Sequence, residues 1–396
     1  MTAGVARRRA EIAGAGLGGL TLATALAQRG WGVRLHERAA QLRDLGVGTT
    51  IWQNGQRALE AVGALAEVAE KGTRIGQQRI FDAQLRLLRL DQFNDTDNRA
   101  MVVLRVDHHR ALVNAALKAG VQIVTSSAAV AAEPEGVLIM ENGERLAADL
   151  VIGCDGFGSK IRDSLKLADL VGFVTNAHIG RVTVPRDVRP ETERIDNYWA
   201  GPRRFGVLGC GAVNYIFLSA PEECPHNAQE VASRSLYKPA WIADFPFFEE
   251  LIQRVDSEVV WSRYSIVRCK AWSAGRAAIL GDSAHAMPPT MAQGAGCAMM
   301  NAVTLAEAVT EADEIPAALA GWERRERPIT DVTQRWAVLS IFMTKAWPHN
   351  LLDMRSEIIQ EAFTHSSLEA HFHCASRHEP EFSAHFRQAA VPVVAS

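Results

Sequence analysis

The sequence lacks several features that mark large functional classes. Its 6 cysteines include no C-x-x-C pair, and their scatter favours reduced, mostly buried thiols in a cytoplasmic protein over a disulfide framework or a metal site. No apolar stretch is long enough to span a membrane, so we expect no membrane partner. The net charge of -3, with both signs dispersed along the chain, argues against a nucleic-acid partner.

The composition is otherwise ordinary for a globular protein. Its 396 residues suffice for two domains, or for one large domain with an inserted layer. Hydrophobic residues make up 48% and charged residues 22%, as expected for a chain that buries a full core. There is no internal repeat, so the organisation has to be inferred from individual motifs.

A glycine pattern near the start of the chain is typical of dinucleotide binding. Gly14, Gly16 and Gly19 form Gly-x-Gly-x-x-Gly between a predicted strand over 9–13 and a predicted helix over 17–28. The missing side chains permit a tight turn and the close approach of a pyrophosphate, to which the helix N-terminus offers free N–H groups. The pattern alone could be a helix-capping loop, and it does not distinguish FAD from NAD(P).

The second predicted strand, 33–37, supplies the context that this pattern requires. Glu37 ends the strand, where a carboxylate can accept hydrogen bonds from both hydroxyls of a ribose. Arg38 follows as a cofactor contact or as a solvated charge. The order strand, glycine turn, helix, strand and acidic residue predicts a dinucleotide site.

Two further segments follow predicted buried strands much later in the chain. One is Asp155-Gly156, and the other is Gly281-Asp282, which continues through Pro288-Pro289 to Gly294-Ala295-Gly296. No second Gly-x-Gly-x-x-Gly unit is present, although a protein with separate Rossmann domains for FAD and NAD(P)H would normally have two.

In this order the three segments resemble those of the class A flavoprotein aromatic hydroxylases, the para-hydroxybenzoate hydroxylase-like monooxygenases, over about residues 8–340. The resemblance implies an α/β fold, with a Rossmann-like FAD-binding domain, an inserted β-sheet substrate layer and a helical C-terminal region. It also implies FAD as cofactor and NADH or NADPH as a transient co-substrate, which agrees with the single glycine pattern.

The resemblance implies roles for residues on the FAD side. Asp282 would bind the ribitol chain of FAD, and Asp155 and Arg162 belong to a segment tied to both FAD and NAD(P)H. Arg43 and Arg105 match positions that contact the ribityl–pyrophosphate–adenosine region. From their chemistry alone, both arginines would be solvated surface charges.

The proline–glycine segment would meet the reactive edge of the flavin. Pro288-Pro289 stiffens a loop along the isoalloxazine, and Pro288 is a catalytic candidate. Gly294-Ala295-Gly296 opens a helix whose free N–H groups would face the flavin N1–C2 carbonyl, where negative charge gathers on reduction. His285 is predicted to pack near the flavin rather than to act as a general base.

The implied function is hydroxylation of a hydroxylated aromatic or N-heteroaromatic carboxylic acid, with or without ring opening. In the implied cycle NAD(P)H reduces FAD, O2 adds at flavin C4a, and the resulting hydroperoxide transfers an OH group to the ring. The alternatives are a flavin reductase or dehydrogenase without oxygen transfer and a non-catalytic FAD-binding sensor. The third segment disfavours the sensor, because adenosine and phosphate sites alone would hold FAD.

A narrower resemblance concerns the substrate. Segments near 8–14, 30–37, 51–55 and 284–287 are similar to the branch of the family that oxidises hydroxypyridine carboxylates. Thr50 stands where that branch has a tyrosine, and the segment around Gly206 lacks a matching arginine.

Two residues match substrate-side positions of that branch and are our further catalytic candidates. Arg181 could pair with a carboxylate, and Tyr215 could hydrogen-bond a ring hydroxyl. Each could instead be a sheet-surface or core residue. Arg203-Arg204 is the fallback carboxylate binder, with a solvated loop pair as the alternative.

The motifs suggest a discontinuous organisation. We place the FAD-binding domain at 1–175 and 273–345, with part of the substrate layer near 76–105. The substrate-binding sheet would occupy 176–272, and 346–396 would form a helical C-terminal segment.

The segments between the motifs carry weaker expectations. We predict one helix over 53–70 and another near 228–254. His371 and His373 in the C-terminal segment are expected at the surface rather than on a metal, so we predict no metal site. A homodimer is one assembly compatible with the sequence.

Overall fold

The computed structural model describes residues 7–42, 47–186, 192–345 and 347–379. Its first elements are β1 (Arg9–Ala13), α1 (Leu17–Gln28) and β2 (Gly32–His36). They confirm the predicted strand, glycine turn, helix and strand.

The remaining elements follow in chain order. The strands are β3 (Gly48–Trp52), β4 (Thr73–Asp82), β5 (Leu87–Gln92), β6 (Ala100–Leu104), β7 (Gln122–Val124), β8 (Ala129–Glu133), β9 (Val137–Met140), β10 (Arg145–Ala147), β11 (Leu150–Gly153), β12 (Ala168–Pro185), β13 (Thr192–Ala200), β14 (Arg203–Cys210), β15 (Val213–Pro221), β16 (Val260–Cys269), β17 (Ser273–Ala274) and β18 (Ala277–Ile279). The helices are α2 (Gln53–Ala61), α3 (Leu65–Lys71), α4 (Arg105–Lys118), α5 (Lys160–Ser164), α6 (Asn227–Ser233), α7 (Lys238–Asp244), α8 (Glu249–Gln253), α9 (Asp282–His285), α10 (Gly294–Glu311), α11 (Ile315–Lys345), α12 (Leu352–Ala362) and α13 (Ser366–Phe372).

One sheet brings the three predicted segments together. Its strand order is β17-β18-β11-β1-β2-β7, and every pair from β18 to β7 is parallel. In its register Ala13 pairs with Gly153, and Gly153 pairs with Ile279. Because the carboxyl ends of parallel strands meet at one edge, the loops that follow β1, β11 and β18 converge there.

A second, nine-stranded sheet lies against this edge. Its order is β16-β12-β15-β14-β13-β4-β6-β3, with β5 paired to β4. The strands come from 48–104 and from 168–269, so widely separated parts of the chain build one sheet. The division of the chain into domains at 175 and 272 stays a prediction.

Two long predicted helices are wrong in detail. The segment 53–70 forms two helices, α2 and α3, because the chain turns at Gly63, which has a φ of +74°. The segment near 228–254 forms the short helices α6, α7 and α8, with Pro239 at the start of α7 and Pro246 just after it. Proline lacks the N–H needed inside a helix and therefore breaks the run.

The end of the described chain is helical, as predicted. The helix α11 has 31 residues, and α12 packs against β5. With the parallel sheet and the second sheet, this confirms the predicted α/β class. None of the helices in the described ranges is long and apolar enough to cross a membrane.

Candidate active site

The edge where the three loops converge opens into a cavity of about 470 Å³. One side of the cavity is lined by these loops and the other by the nine-stranded sheet. Of the predicted site residues, Gly16, Gly19, Arg105, Arg181, Tyr215, Asp282, Pro289, Gly294 and Ala295 line it. Gly14, Glu37, Arg38, Asp155, Pro288 and Gly296 do not line it, and Arg43 lies outside the described residues.

The three glycines of the first loop differ in what they allow. A Cβ at Gly14, whose φ is +103°, would lie 2.3 Å from the carbonyl oxygen of Cys154. A Cβ at Gly19 would lie 2.0 Å from the carbonyl oxygen of Gly14. At Gly16 a Cβ would meet no atom within 4 Å, so the loop is open there. The helix α1 begins directly after Gly16, and its first N–H groups have no partner within the helix.

Glu37 lies beside this loop at the end of β2. Its Oε2 accepts a hydrogen bond from the N–H of Ala15 at 3.1 Å, and its Oε1 accepts one from Ala39 at 2.9 Å. A dinucleotide with its phosphates at α1 would bring a ribose to this carboxylate. Arg38 is exposed to solvent.

Asp155 ties the second loop to the third. Its Oδ1 accepts hydrogen bonds from Ser159 Oγ at 2.6 Å and from Ser283 Oγ at 3.2 Å. Its Oδ2 accepts one from the N–H of Lys160 at 2.8 Å. Arg162 is buried and donates to the carbonyl of Ser283 at 3.3 Å. Protein groups thus engage both Asp155 oxygens, and a direct cofactor contact of Asp155 stays a prediction.

Asp282 and Arg105 line the cavity from opposite parts of the sequence. The Asp282 carboxyl opens into the cavity but is surrounded by protein, and this desolvation raises its pKa. The positive charge of Arg105 acts in the opposite direction. A polyol chain in this place could donate hydroxyl hydrogen bonds to the carboxylate, which only accepts them when ionised.

The proline–glycine segment forms the adjoining part of the wall. Pro288 is buried behind it, whereas Pro289 faces the cavity. The helix α10 has 18 residues and begins at Gly294, so its N-terminus faces the cavity. A Cβ at Gly296 would lie 2.9 Å from Asn54 Oδ1, so this glycine is needed for packing. The free N–H groups of the first turn offer partial positive charge to a ligand.

His285 is buried behind the same wall. Its Nε2 accepts a hydrogen bond from Asn301 Nδ2 at 3.2 Å, and its ring packs 5.3 Å from that of Trp272. Burial lowers the pKa of His285 to about 4, so the ring is neutral at neutral pH. The residue lies off the cavity lining, which fits the predicted packing role.

Arg181 and Tyr215 face the cavity from the neighbouring strands β12 and β15. Burial raises the pKa of Tyr215, while the charges of Arg181 and Arg105 oppose this shift. The Tyr215 hydroxyl therefore keeps its proton at neutral pH and can donate it in a hydrogen bond.

The prediction that Arg203 and Arg204 form a solvated loop pair is wrong. Both lie on β14 and both are buried, because the sheet continues where the sequence suggests a turn. Successive side chains of a strand face opposite sides, so only one of them can reach the cavity. Arg203 donates to Asp244 at 2.8 Å, whereas Arg204 lines the cavity.

Arg204 has no anionic partner among the described residues. Its guanidinium packs 5.6 Å from the ring of Trp199, and its Nε is buried without a hydrogen bond. Burial lowers the pKa of Arg204, yet a guanidinium stays charged in a protein. The cavity therefore contains a desolvated positive charge that a ligand could neutralise.

The position of Gly206 on β14 explains why this chain lacks the arginine that the resembling branch has in this segment. It pairs with Phe217 on β15, and a Cβ at Gly206 would lie 1.8 Å from that ring. The aromatic ring thus occupies the space above Gly206, two residues from Arg204 on the same face. Thr50, the other departure from the resembling branch, also lines the cavity.

Part of the wall was missed at the level of sequence. Asp91 from β5, and Phe372 and His373 from the C-terminal helices, line the cavity. His373 is 5% exposed, and its Nε2 lies 3.3 Å from Asp91 Oδ1, so its prediction as a surface residue is wrong. No local pattern signals that a segment so distant in sequence returns to this wall.

Within the described ranges, no group of three or more His, Cys, Asp or Glu side chains could hold a metal ion.

Comparison with known proteins identifies the family. A family model described as an FAD binding domain matches residues 8–317. The chain belongs to this family of class A flavoprotein hydroxylases. It is an FAD-dependent monooxygenase, and NAD(P)H is the co-substrate typical of the family. The predicted family, enzyme class and cofactor are confirmed.

Individual relatives differ in the ring that their names give. A probable 2-heptyl-3-hydroxy-4(1H)-quinolone synthase of Rhodococcus erythropolis is 35% identical, over 83% of this chain and 86% of its own length. The 6-hydroxynicotinate 3-monooxygenase of Bordetella bronchiseptica is 28% identical, over 75% of this chain and 81% of its own. The solved tetrameric form of 2-methyl-3-hydroxypyridine-5-carboxylic acid oxygenase is 34% identical with a TM-score of 0.79, covering 94% of this chain and 97% of that one.

Proposed function

We propose that this monooxygenase hydroxylates an oxygen-substituted N-heteroaromatic ring that carries a carboxylate, and that Arg204 binds the carboxylate. The buried, unpaired guanidinium of Arg204 on the cavity wall is the observation that supports this most. A buried charge without a counter-charge is costly, and a ligand carboxylate would provide the missing partner.

The loops opposite Arg204 are proposed to hold FAD, which when bound supplies the redox chemistry that activates O2. The open backbone at Gly16 and the N-terminus of α1 would hold the pyrophosphate, with Gly14 and Gly19 keeping the turn tight. Glu37 would bind the ribose, and Arg105 and Asp282 the ribityl chain. The N-terminus of α10, opened by Gly294, Ala295 and Gly296, would face the pyrimidine edge of the flavin.

Tyr215 and Arg181 are proposed to orient the ring and to control the proton on its oxygen substituent. Tyr215 keeps its own proton and would donate a hydrogen bond to that oxygen. Arg181, whose positive charge acts on Tyr215, would stabilise the oxygen when it becomes anionic. A deprotonated oxygen makes the ring more electron-rich, which favours attack on an electrophilic oxygen.

The relatives narrow the ring class. The names of all three describe oxygen-substituted nitrogen heteroaromatics, and two of them name a carboxylic acid. The nitrogen ring is therefore common to them, whereas the carboxylate is proposed from Arg204. An alkyl quinolone without a carboxylate is the competing substrate.

The test is NADH and NADPH oxidation by the FAD-loaded protein, with the mass of the product recorded. The panel contains two pyridine carboxylates, 2-methyl-3-hydroxypyridine-5-carboxylate and 6-hydroxynicotinate. It also contains 3-amino-4-hydroxybenzoate, which has a carboxylate but no ring nitrogen, and 2-heptyl-4(1H)-quinolone, which has a ring nitrogen but no carboxylate. We expect one of the two pyridine carboxylates to stimulate oxidation and to gain oxygen, and fragmentation of the product shows whether the ring has opened. Turnover of the quinolone alone would overturn the carboxylate assignment, and stimulation without an oxygenated product would favour the reductase.

A further inference from the structure

A buried lysine lies behind the substrate wall. Lys345 is the last residue of α11, and its Nζ lies 4.7 Å from the centre of the Tyr264 ring. Within the part of the chain that the structure describes, this Nζ is buried and has no hydrogen-bond partner. Tyr264 is itself buried and donates a hydrogen bond to Ser219 Oγ at 2.7 Å. Tyr264 and Ser219 both line the cavity, so only the Tyr264 side chain separates Lys345 from the cavity on this side.

Described residues from several elements act on Lys345. The guanidinium of Arg204 on β14 adds positive charge, and the phenol of Tyr264 on β16 is neutral because burial raises its pKa. The loop after β15 contributes Glu223, which is exposed, and Cys224, whose thiol pKa burial also raises.

From α12, Arg355 donates to the carbonyl of Thr344 at 3.3 Å, next to Lys345 in the chain. Arg355 packs on the Trp199 ring, which also contacts Arg204. The basic side chains of Arg204, Lys345 and Arg355 therefore lie around the end of α11, whereas Glu223, the carboxylate that acts on Lys345, is exposed. Positive charge is therefore in excess at this buried end of α11.

We propose that Lys345 is a positioning residue coupled to Arg204, and that it takes up a proton when a carboxylate binds at Arg204. The inference rests on the proposed function, since it requires an anion at Arg204. It adds that substrate binding and protonation of Lys345 favour each other, so that binding weakens as the pH rises.

The physical basis is mutual repulsion between buried cations. Burial lowers the pKa of Lys345 to about 7, and the positive charge of Arg204 contributes to this shift. A carboxylate bound to Arg204 would offset that charge and attract the ammonium, so the pKa of Lys345 would rise in the complex. A group whose pKa is raised by binding contributes affinity below its free pKa, and this contribution is lost as the pH rises through the bound pKa.

The experiment is isothermal titration of the FAD-loaded protein with 6-hydroxynicotinate, 2-methyl-3-hydroxypyridine-5-carboxylate and 3-amino-4-hydroxybenzoate, at about pH 8 in buffers of different ionisation enthalpy. The buffer dependence of the heat measures the protons taken up on binding. We expect uptake of a fraction of a proton by the wild type and none by Lys345→Met. Relative to Lys345→Met, the Kd of the wild type should rise about sixfold between roughly pH 6.5 and 8.5 if binding raises the pKa of Lys345 by one unit.

Two further variants separate charge from packing. Lys345→Arg keeps a positive charge at every pH, so it should bind tightly without proton uptake, and it serves if Lys345→Met does not fold. Lys270→Met removes an exposed lysine and should behave as the wild type. Equal proton uptake by the wild type and the Lys345 variants would overturn the coupling and leave the proposed function standing. Binding of none of the three carboxylates would overturn the proposed function and the coupling with it.

Discussion

The two walls of the cavity differ in composition, since one is formed mainly by backbone groups and the other mainly by side chains. The FAD-side wall is mainly backbone, in which Gly14 and Gly19 leave no room for a Cβ and α10 presents its N-terminus. The substrate-side wall is made of side chains such as Arg181, Arg204 and Tyr215, which project from one sheet. The first wall should therefore be broken by adding atoms, and the second by removing charge.

The largest effect is expected from Gly14→Val, which adds atoms to the backbone wall. Its Cβ would overlap the carbonyl of Cys154 in a region of positive φ, so the turn cannot form and FAD binding should be abolished. The ratio of flavin to protein absorbance in the purified variant measures this. Gly30→Val has a similarly positive φ but no atom within 4 Å, and should retain FAD. A fully flavinylated Gly14→Val would refute the assignment of this loop.

Acid should destabilise the wall that His285 supports. The pKa of the folded His285 is about 4, below its ordinary value of 6.5, so the unfolded chain binds more protons between these values. The free energy of unfolding should fall by up to about 3 kcal/mol as the pH drops through this window. Denaturant titrations at about pH 7 and pH 4.5 give the loss of unfolding free energy between these pH values for the wild type and for His285→Gln, and we expect the smaller loss in His285→Gln. An equal loss in both proteins would show that His285 does not contribute to the acid sensitivity.

Arg204→Gln removes charge from the substrate wall without touching the backbone wall. FAD content should be normal, while the binding free energy of a pyridine carboxylate should become less favourable by about 1.5–3 kcal/mol through loss of a charge-assisted bond. Quenching of flavin fluorescence measures both quantities on one sample. Arg268→Gln makes the same chemical change at an exposed position and should leave the Kd unaltered. An unchanged Kd in Arg204→Gln would remove Arg204 from the substrate site.

Asp282→Ala tests a carboxylate that lines the cavity on the side of the backbone wall. We expect FAD to bind about tenfold more weakly, because hydrogen bonds from the ribityl chain are lost, with the far-UV circular dichroism unchanged. Recovery of free FAD fluorescence on dilution measures the change. Asp282→Asn keeps an acceptor and should lie between the wild type and Asp282→Ala. Equal FAD retention by all three proteins would show that Asp282 is not a cofactor ligand.

The two walls also differ in how far the sequence predicted them. The elements β1, α1 and β2 follow from a local pattern of glycines and apolar residues, and their bounds agree with the prediction to within a residue. The resemblance implied that the later loops meet the same cofactor, and the parallel strands do bring these loops to one edge of the sheet. The single helix predicted over 53–70 was wrong because apolar periodicity continues across Gly63, where the positive φ of the glycine ends one helix before the next begins.

Most of the substrate-side wall could not be predicted from the sequence. Arg204 is unremarkable in sequence, and only the continuation of β14 through it shows that it is buried. His373 reaches the cavity from a segment 282 residues away from its partner Asp91. Contacts over such separations depend on how helices and sheets pack, and a single sequence carries no periodic signal for them.

The sequence by itself determined that the chain binds a dinucleotide and that a strand, a glycine turn, a helix and a second strand create the site, because a phosphate-binding turn is a local requirement on backbone shape. Only the tertiary structure decided which charges face the substrate. Whether Arg204 is solvated, paired or left as a buried cation depends on its neighbours from β15, β16 and α11. Burial and pairing of a charge are properties of the assembled cavity rather than of the residue.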